Sequence, residues 1–561
     1  MKAKYAKASA THSPSVRAST TRKRKKKTLD SSPAFSKVPA QSITFPYGTS
    51  PRVSLYRHQV VGVNRLVKEL KTRGHFALLD DCGLGKTLQM LYAARDLIAG
   101  DVLDKVVIVC KADLVSNWVD ECAMHVPDLP VQVLSGKEAD KRTLKKRARI
   151  YLINFELISQ PARTGEHVVD SVFTGATVTV NNDVMRIHTL LRSYRCGLFI
   201  DESHRIKNCT ARTTDTLCSL RRYARCRAIA TATLEAETPL DAFAQVFFLD
   251  GGKTFGRSYT AFCDRYAIMG TSSVPLRKKI RGVLRYVGKR HDTRPVGYQN
   301  LNEMRALVQG ISLRRTQAEC PDLPARINKR RVCTATGKQL LLLRTLRDKL
   351  CGHAAATDSE HLVFKPGTTL AESLHMFLRA SAMPCCVDPS IKGGAKFAAL
   401  LDMLHETKDQ CVIWCTHRNV AQALSDTLNA HNQPSVCVYG GFTAEEKDNR
   451  LRVFKSGNVR LLVATGRALQ EGHNFQNATQ SITFQVPWER LTDAQGHARV
   501  HRIGQTRTVI VTRLLLEQSL DGYQLRGLRA KNLAVKHASE GGTHDALEIQ
   551  KQEFIDALKA W

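Results

Sequence analysis

From about Val53 the chain alternates short, wholly apolar runs with longer stretches of helical spacing. The runs are FALL (76–79), VVIVC (106–110), YLINF (151–155), GLFID (197–201) and RAIAT (227–231). Apolar residues at consecutive positions predict strands buried on both faces, because a strand with one wet face would alternate. Such strands, each followed by a helical stretch, predict βαβ units in a doubly wound parallel sheet, with ligands held beyond the carboxyl ends of the strands. A second series begins after residue 390 with CVIWC (411–415), SVCVY (435–439), RLLVAT (460–465), SITFQ (481–485) and TVIVTRLL (508–515). The fold class is therefore α/β, with two tandem doubly wound parallel-sheet lobes.

The same pattern sets expected boundaries. Residues 1–45 read as a disordered basic tail, 46–250 as the first lobe, 251–395 as a helical protrusion and linker, 396–525 as the second lobe and 526–561 as a helical tail. A small insertion near 160–185, rich in Gly, Thr, Val and Asn, reads as a loop or hairpin. The stretch 277–290, RKKIRGVLRYVGKR, has seven basic residues and no acid, and reads either as a DNA-facing protrusion or as a solvated basic helix or loop.

Length and charge narrow the picture. At roughly 100 to 200 residues per domain, 561 residues allow several folded units and exclude a single small one. Lys and Arg number 84 against 51 Asp and Glu, a net +33, which favours a polyanionic partner, with nucleic acid ahead of an anionic membrane surface. Residues 1–40 hold eleven basic side chains and one acid, so about two-thirds of the excess lies outside the tail. Within the tail, Arg22, Lys23, Arg24, Lys25, Lys26 and Lys27 form an unbroken basic hexamer, either a nuclear localisation signal or a sliding contact for DNA phosphates. No run approaches the roughly 18 apolar residues of a membrane helix and no secretory core opens the chain, so the expectation is a soluble intracellular protein without a membrane partner. The 16 cysteines include no CxxC pair, and neither Cys411 with Cys415 nor His497 with His501 has a second ligand pair at zinc spacing.

Three segments carry chemistry. LLDDCGLGKT (78–87) follows a predicted strand and opens a helix, the context of a phosphate-binding loop. There Gly83 and Gly85 let backbone N–H groups approach phosphate, Lys86 reaches the β and γ oxygens and Thr87 offers its hydroxyl to Mg²⁺, while Asp80 stands where the general pattern has its first glycine. LFIDESHRIKN (198–208) ends a buried strand in two carboxylates, of which Asp201 would hold the metal and Glu202 would orient the attacking water. DAQGHARVHRIGQ (493–505) sets Arg499 and Arg502 three apart, on one face if helical; aimed at a transferring phosphoryl group they would act as arginine fingers, whereas by themselves they read as surface arginines.

With these residues the chain resembles the Swi/Snf-type DNA-translocating ATPases of helicase superfamily 2 over roughly residues 50–525. The likeness rests on LYRHQVVGVNRL (55–66), DDCGLGKT (80–87), VVIVCKADLVSNWVDE (106–121), IDESHRIKN (200–208), LRRTQAECPDLPAR (313–326), CVIWCTHRN (411–419), GRALQEGHNF (466–475) and VPWERLTDAQGHARVHRIGQTRTVIVTRL (486–514). It implies two RecA-like lobes with ATP and Mg²⁺ between them, and a DNA-dependent ATPase that moves along double-stranded DNA, gripping mainly its phosphate backbone, to remodel protein–DNA or branched DNA structures. It places Gln59 against adenine, the loop Asp81, Cys82, Gly83, Leu84, Gly85, Lys86, Thr87 and Leu88 around the phosphates, and Thr87 and Asp201 on the metal. Gly472 and Asn474 match a segment coupling the second lobe to nucleotide and DNA; Gln495, Arg499 and Arg502 match the motif facing the γ-phosphate; Lys111, Asn117 and Trp118 match a segment beside the DNA track.

Departures from that pattern are Ala232-Thr233-Leu234 for the usual Gly-Thr-Pro, Leu469 and Gln470 for a glycine pair, and Ser203 for Ala. None removes a charged group, so weakened coupling of hydrolysis to movement is expected before loss of hydrolysis. The absence of a bromodomain-like, chromodomain-like or zinc module favours replication, repair, recombination or viral transcription over a large chromatin machine. Two other readings share these residues: a strand-separating DNA or RNA helicase, and a noncatalytic DNA-binding scaffold whose shape nucleotide sets.

Overall fold

A computed structural model describes residues 37–134, 144–160, 168–173, 177–232, 234–235, 237–280, 283–319, 324–356, 369–469, 473–502, 504–529, 544–545 and 551–560. The basic hexamer, Thr233, Gln470 and Gly472 lie outside them.

Both predicted sheets form, and both are parallel throughout. The first has seven strands in the order Ser312–Leu313, His75–Leu78, Cys226–Ala230, Cys196–Asp201, Lys105–Cys110, Ile150–Asn154 and Val131–Val133. Its strands are apolar at successive positions because both faces are covered. Ala77, Val107, Leu198 and Ile229 enter one core, while Phe76, Val106, Phe199 and Ala228 enter the other. The second sheet has six strands in the order Arg326–Cys333, Val509–Leu516, Gln480–Thr483, Cys411–Cys415, Leu461–Thr465 and Ser435–Val438. Ile413 and Val463 face one of its cores, Val412 and Leu462 the other.

The structure differs from the expected organisation in three places. Ile43 and Phe45, read as tail, are 2% exposed in the first-lobe core, and Lys37–Val38 pairs with Leu55–Tyr56. The stretch read as a helical protrusion supplies a strand to each sheet, Ser312–Leu313 to the first and Arg326–Cys333 to the second, so the connection between the lobes is the short piece 314–325. The basic run within it belongs to a long antiparallel hairpin, Ala267–Ile280 with Val283–Tyr298, to which His544–Asp545 adds. Strands that pair with each other require no continuous apolar run, which is why periodicity missed them. The insertion near 160–185 is a small hairpin, Val168–Asp170 with Thr177–Thr179.

The described residues of this stretch also form helices. Gly337–Ala355 and Thr369–Ala382 pack through Leu343, Leu350 and Phe377 against Phe554 and Leu558 of the C-terminal helix Lys551–Lys559. Among the described residues no helix is long and apolar enough to cross a membrane.

Candidate active site between the two sheets

Strand register sets the level of the site. Leu78 and Asp201 both lie opposite Ala230, one on each side of it. The loop after Leu78 and the carboxylates at Asp201 therefore leave the same edge of the sheet about 10 Å apart, two strand spacings.

The loop between the His75–Leu78 strand and helix α2 (Lys86–Ala99) turns on Gly83 and Gly85, whose φ values are +86° and +76°. Side chains are excluded there twice over. The left-handed backbone disfavours a Cβ, and one would lie 2.3 Å from Gln59 Nε2 at Gly85 and 2.9 Å from Arg502 Cβ at Gly83. Helix α1 (Arg57–Arg73) steadies the loop, since the His58 ring and the Gln59 amide meet the Leu84 carbonyl at 3.0 and 3.5 Å. Lys86, the first residue of α2, donates from Nζ to the carbonyls of Asp80 at 2.8 Å and Asp81 at 3.3 Å. Asp80, fully buried, accepts from Arg315 Nε at 2.8 Å and from Gln89 Nε2 at 3.1 Å. A glycine could not make this ion pair, which accounts for the departure from the general loop pattern.

Asp201 and Glu202 are both buried. The Trp118 indole, on helix α3 (Val115–His125), donates to Asp201 Oδ2 at 3.2 Å. Burial first, then the neighbouring Glu202 charge, lifts the Asp201 carboxyl well above its ordinary value. Burial also pushes Glu202 upward, but the His204 hydrogen bond and charge, with Lys86, outweigh it and hold that carboxyl below its ordinary value. Glu202 has a left-handed φ of +50°, an unfavoured conformation for a residue with a side chain.

A cavity of about 290 Å³ collects these groups. From the first lobe, Gln59, Cys82, Gly83, Gly85, Lys86, Thr87, Leu88, Asp201 and Glu202 line it; from the second, Asn474, Arg499 and Arg502. The two arginines follow the Arg490–Ala498 helix. Burial, then the Arg499 charge, depresses the Arg502 guanidinium to about 10, and its Nε has no hydrogen-bond partner among the described residues.

Not every expected residue arrives. Asp81 does not line the cavity; its Oδ2 accepts the Gln317 backbone N–H at 2.9 Å. Leu84 is fully buried and offers only its carbonyl to α1 and α2. Gln495 is 1% exposed and off the cavity, because its place on the Arg490–Ala498 helix turns it into the second lobe. Asn117 and Trp118, read as neighbours of a DNA track, line the cavity instead, since α3 lies against the phosphate-loop side of the sheet. Lys111 forms an ion pair with Asp113 at 3.4 Å. Leu114, Glu121 and His125 line the cavity unforeseen; the spacing of Trp118, Glu121 and His125 on one face of α3 was the available signal.

The chain matches the SNF2-related domain over residues 58–379 and the helicase conserved C-terminal domain over 395–504. It belongs to the SNF2-related family. Its relatives include human "DNA annealing helicase and endonuclease ZRANB3", 21% identical over 512 residues that cover 88% of this chain and 42% of that protein. "Uncharacterized ATP-dependent helicase YqhH" of Bacillus subtilis (strain 168) is 22% identical over 480 residues, 84% of this chain and 77% of the relative. The chain thus spans less than half the length of the ZRANB3 relatives it matches. Among solved structures, the Sulfolobus solfataricus SWI2/SNF2 ATPase core in complex with dsDNA aligns at 20% identity with a TM-score of 0.38, over 91% of this chain and 97% of that one.

Proposed function

We propose that this SNF2-related chain hydrolyses ATP with Mg²⁺ to move along double-stranded DNA and remodel protein–DNA or branched DNA structures. The observation that carries the reading is the meeting of Lys86, Asp201 and Glu202 with Arg499 and Arg502 around one cavity.

The residues fit the groups they would hold. Two adjacent buried carboxylates, one of them pushed above its ordinary value by burial and by the other's charge, form a site that a divalent cation would keep ionised, and Thr87 lines the same cavity. The buried Arg502 Nε has no hydrogen-bond partner among the described residues, as a donor for phosphate should, and Glu202 Oε2, which would accept from water, lies 3.3 Å from His204 Nδ1. Bound Mg²⁺ would supply positive charge against the phosphate oxygens.

The remaining work falls to the chain. Lys86 exchanges the Asp80 and Asp81 carbonyls for phosphate oxygens, and the N-terminal amides of α2 face the same anion. Trp118 orients Asp201. Glu202 Oε2 accepts a proton from the attacking water, and Arg499 and Arg502 neutralise charge that grows on the transferred group only when the lobes are together. Phosphate contacts from the basic surface would make DNA binding salt-dependent and nearly blind to sequence.

The test is ATP turnover measured without nucleic acid and with duplex DNA, single-stranded DNA or RNA. Duplex-selective stimulation is the expected result. Selective stimulation by RNA overturns the reading, displacement of a strand from a tailed duplex replaces it with a helicase, and no turnover under any condition leaves the scaffold.

A further inference from the structure

The connection between the sheets does more than join them. It leaves Ser312–Leu313 on the edge of the first sheet and enters Arg326–Cys333 on the edge of the second. Gln317, near its middle, touches both halves of the cleft. Its Nε2 donates to the Cys82 carbonyl of the phosphate loop at 2.8 Å and to the His501 carbonyl of the arginine segment at 3.3 Å. Those carbonyls immediately precede Gly83 and Arg502, the two residues packed so closely that a Cβ on the first would collide with the second.

We propose that Gln317 is a positioning residue that sets the distance between the phosphate loop and Arg502, and so sets the turnover of the closed cleft rather than its affinity for nucleotide. This rests on the nucleotide-cleft reading above. A carboxamide suits the task because it carries two N–H hydrogens, one for each carbonyl, and no charge to desolvate.

The arm that presents it is fixed to the first lobe. The Gln317 backbone N–H donates to Asp81 Oδ2 at 2.9 Å, and two residues earlier Arg315 grips buried Asp80, the Gln89 amide oxygen at 2.9 Å and the His58 carbonyl. Farther along the connection, the Pro324 carbonyl faces His501 Nε2 at 2.8 Å, so that nitrogen must carry the proton. The His501 segment is therefore held by the connection at two points, Gln317 and Pro324. Gln317 meets His501 at its backbone oxygen through Nε2 and at ring Nδ1 through Oε1, the latter at 3.3 Å, so backbone and ring both take part in the tether.

The test separates the donor from its bulk. Gln317→Met keeps the length and removes both N–H groups; Gln317→Glu opposes two carbonyl oxygens with a carboxylate; Gln317→Lys restores a donor. With duplex DNA present, the Met and Glu variants should lose roughly ten-fold in kcat while the KM for ATP stays within about two-fold, and Lys should recover most of the loss. An unchanged kcat in the Met variant overturns the proposal, as does failure of Lys to rescue. Hydrogen–deuterium exchange of the protein without nucleotide gives an answer independent of turnover. In Gln317→Met, amides around Cys82 and around His501 should exchange faster together, and unchanged exchange at both contradicts the tether. A wild-type protein with no turnover would count against the nucleotide reading alone, since the exchange result would still stand or fall by itself.

Discussion

The two lobes bring unlike halves to the cleft. In the first, each working group is already held: Lys86 by two carbonyls, Asp201 by the Trp118 indole, and Asp80 behind the loop by Arg315 and Gln89. In the second, the platform is only partly bonded, with both polar atoms of the buried Gln495 side chain unpartnered among the described residues, and Arg502 Nε at the working end is unpartnered as well. His497 sits between the Ser481 and Thr483 hydroxyls at 2.7 and 3.1 Å, and Asp493 pairs with Arg513 at 2.6 Å, yet Arg502 Nε is buried with nothing to donate to among the described residues. A buried, unpaired donor costs stability unless an anion arrives. The contrast describes a receptor prepared on one side and a cation stored on the other, coupled by the connection at Gln317.

That contrast breaks most visibly in turnover. Lys86→Ala and Glu202→Gln should each abolish hydrolysis, a loss of about a thousand-fold or more, but only the first should also lose nucleotide binding; equal binding by both would reverse the assigned roles. Arg502→Met should cost a comparable factor in kcat while leaving the fold as stable as before or more so, because it removes a buried Nε donor that has no hydrogen-bond partner among the described residues. Calorimetry beside the ATPase assay checks this, and a drop in Tm would show that the arginine is structural.

Next in size is Asp80→Asn. Removing one member of a buried ion pair should cost about 3 kcal/mol in unfolding free energy, and an unchanged denaturation midpoint would mean that the pair is idle.

The smallest effect is a pH dependence placed in the second lobe. Burial, then the nearby His375, depresses His417 to about 4, and burial depresses His473 to a similar value. A histidine with a lowered folded pKa is stabilising above its unfolded value near 6.5 and loses that contribution as pH falls toward 4. After screening, each should contribute about 2 kcal/mol across that window. Melting followed from pH 7 to 4.5 should show the loss, and it should be shallower in His417→Gln; parallel curves would remove His417 from the explanation.

The strands were legible because parallel strands with both faces covered write themselves as apolar runs, from FALL to TVIVTRLL. The loop and the carboxylate pair were legible because each follows its strand directly. The Ala267–Tyr298 hairpin was not, since its strands satisfy one another's backbone without a continuous apolar run. Trp118 was legible as a motif but not as a ligand of Asp201, because 83 positions separate them and only the packing of α3 brings the indole round. Gln317 and Asp80 were missed in function for the same reason: their partners, His501 and Arg315, are 184 and 235 positions away. Gln495 read as a phosphate contact because its motif does, but helix phase turns it inward.

The central claim is that side chains from both sheets close on one triphosphate. Its most direct test is an experimental structure of the protein with Mg²⁺, duplex DNA and an unreactive ATP analogue. The account predicts the Lys86 ammonium and at least one of the Arg499 and Arg502 guanidinium groups within hydrogen-bonding distance of the terminal phosphate. Both arginines remote from that phosphate, with Lys86 alone on it, would contradict the account.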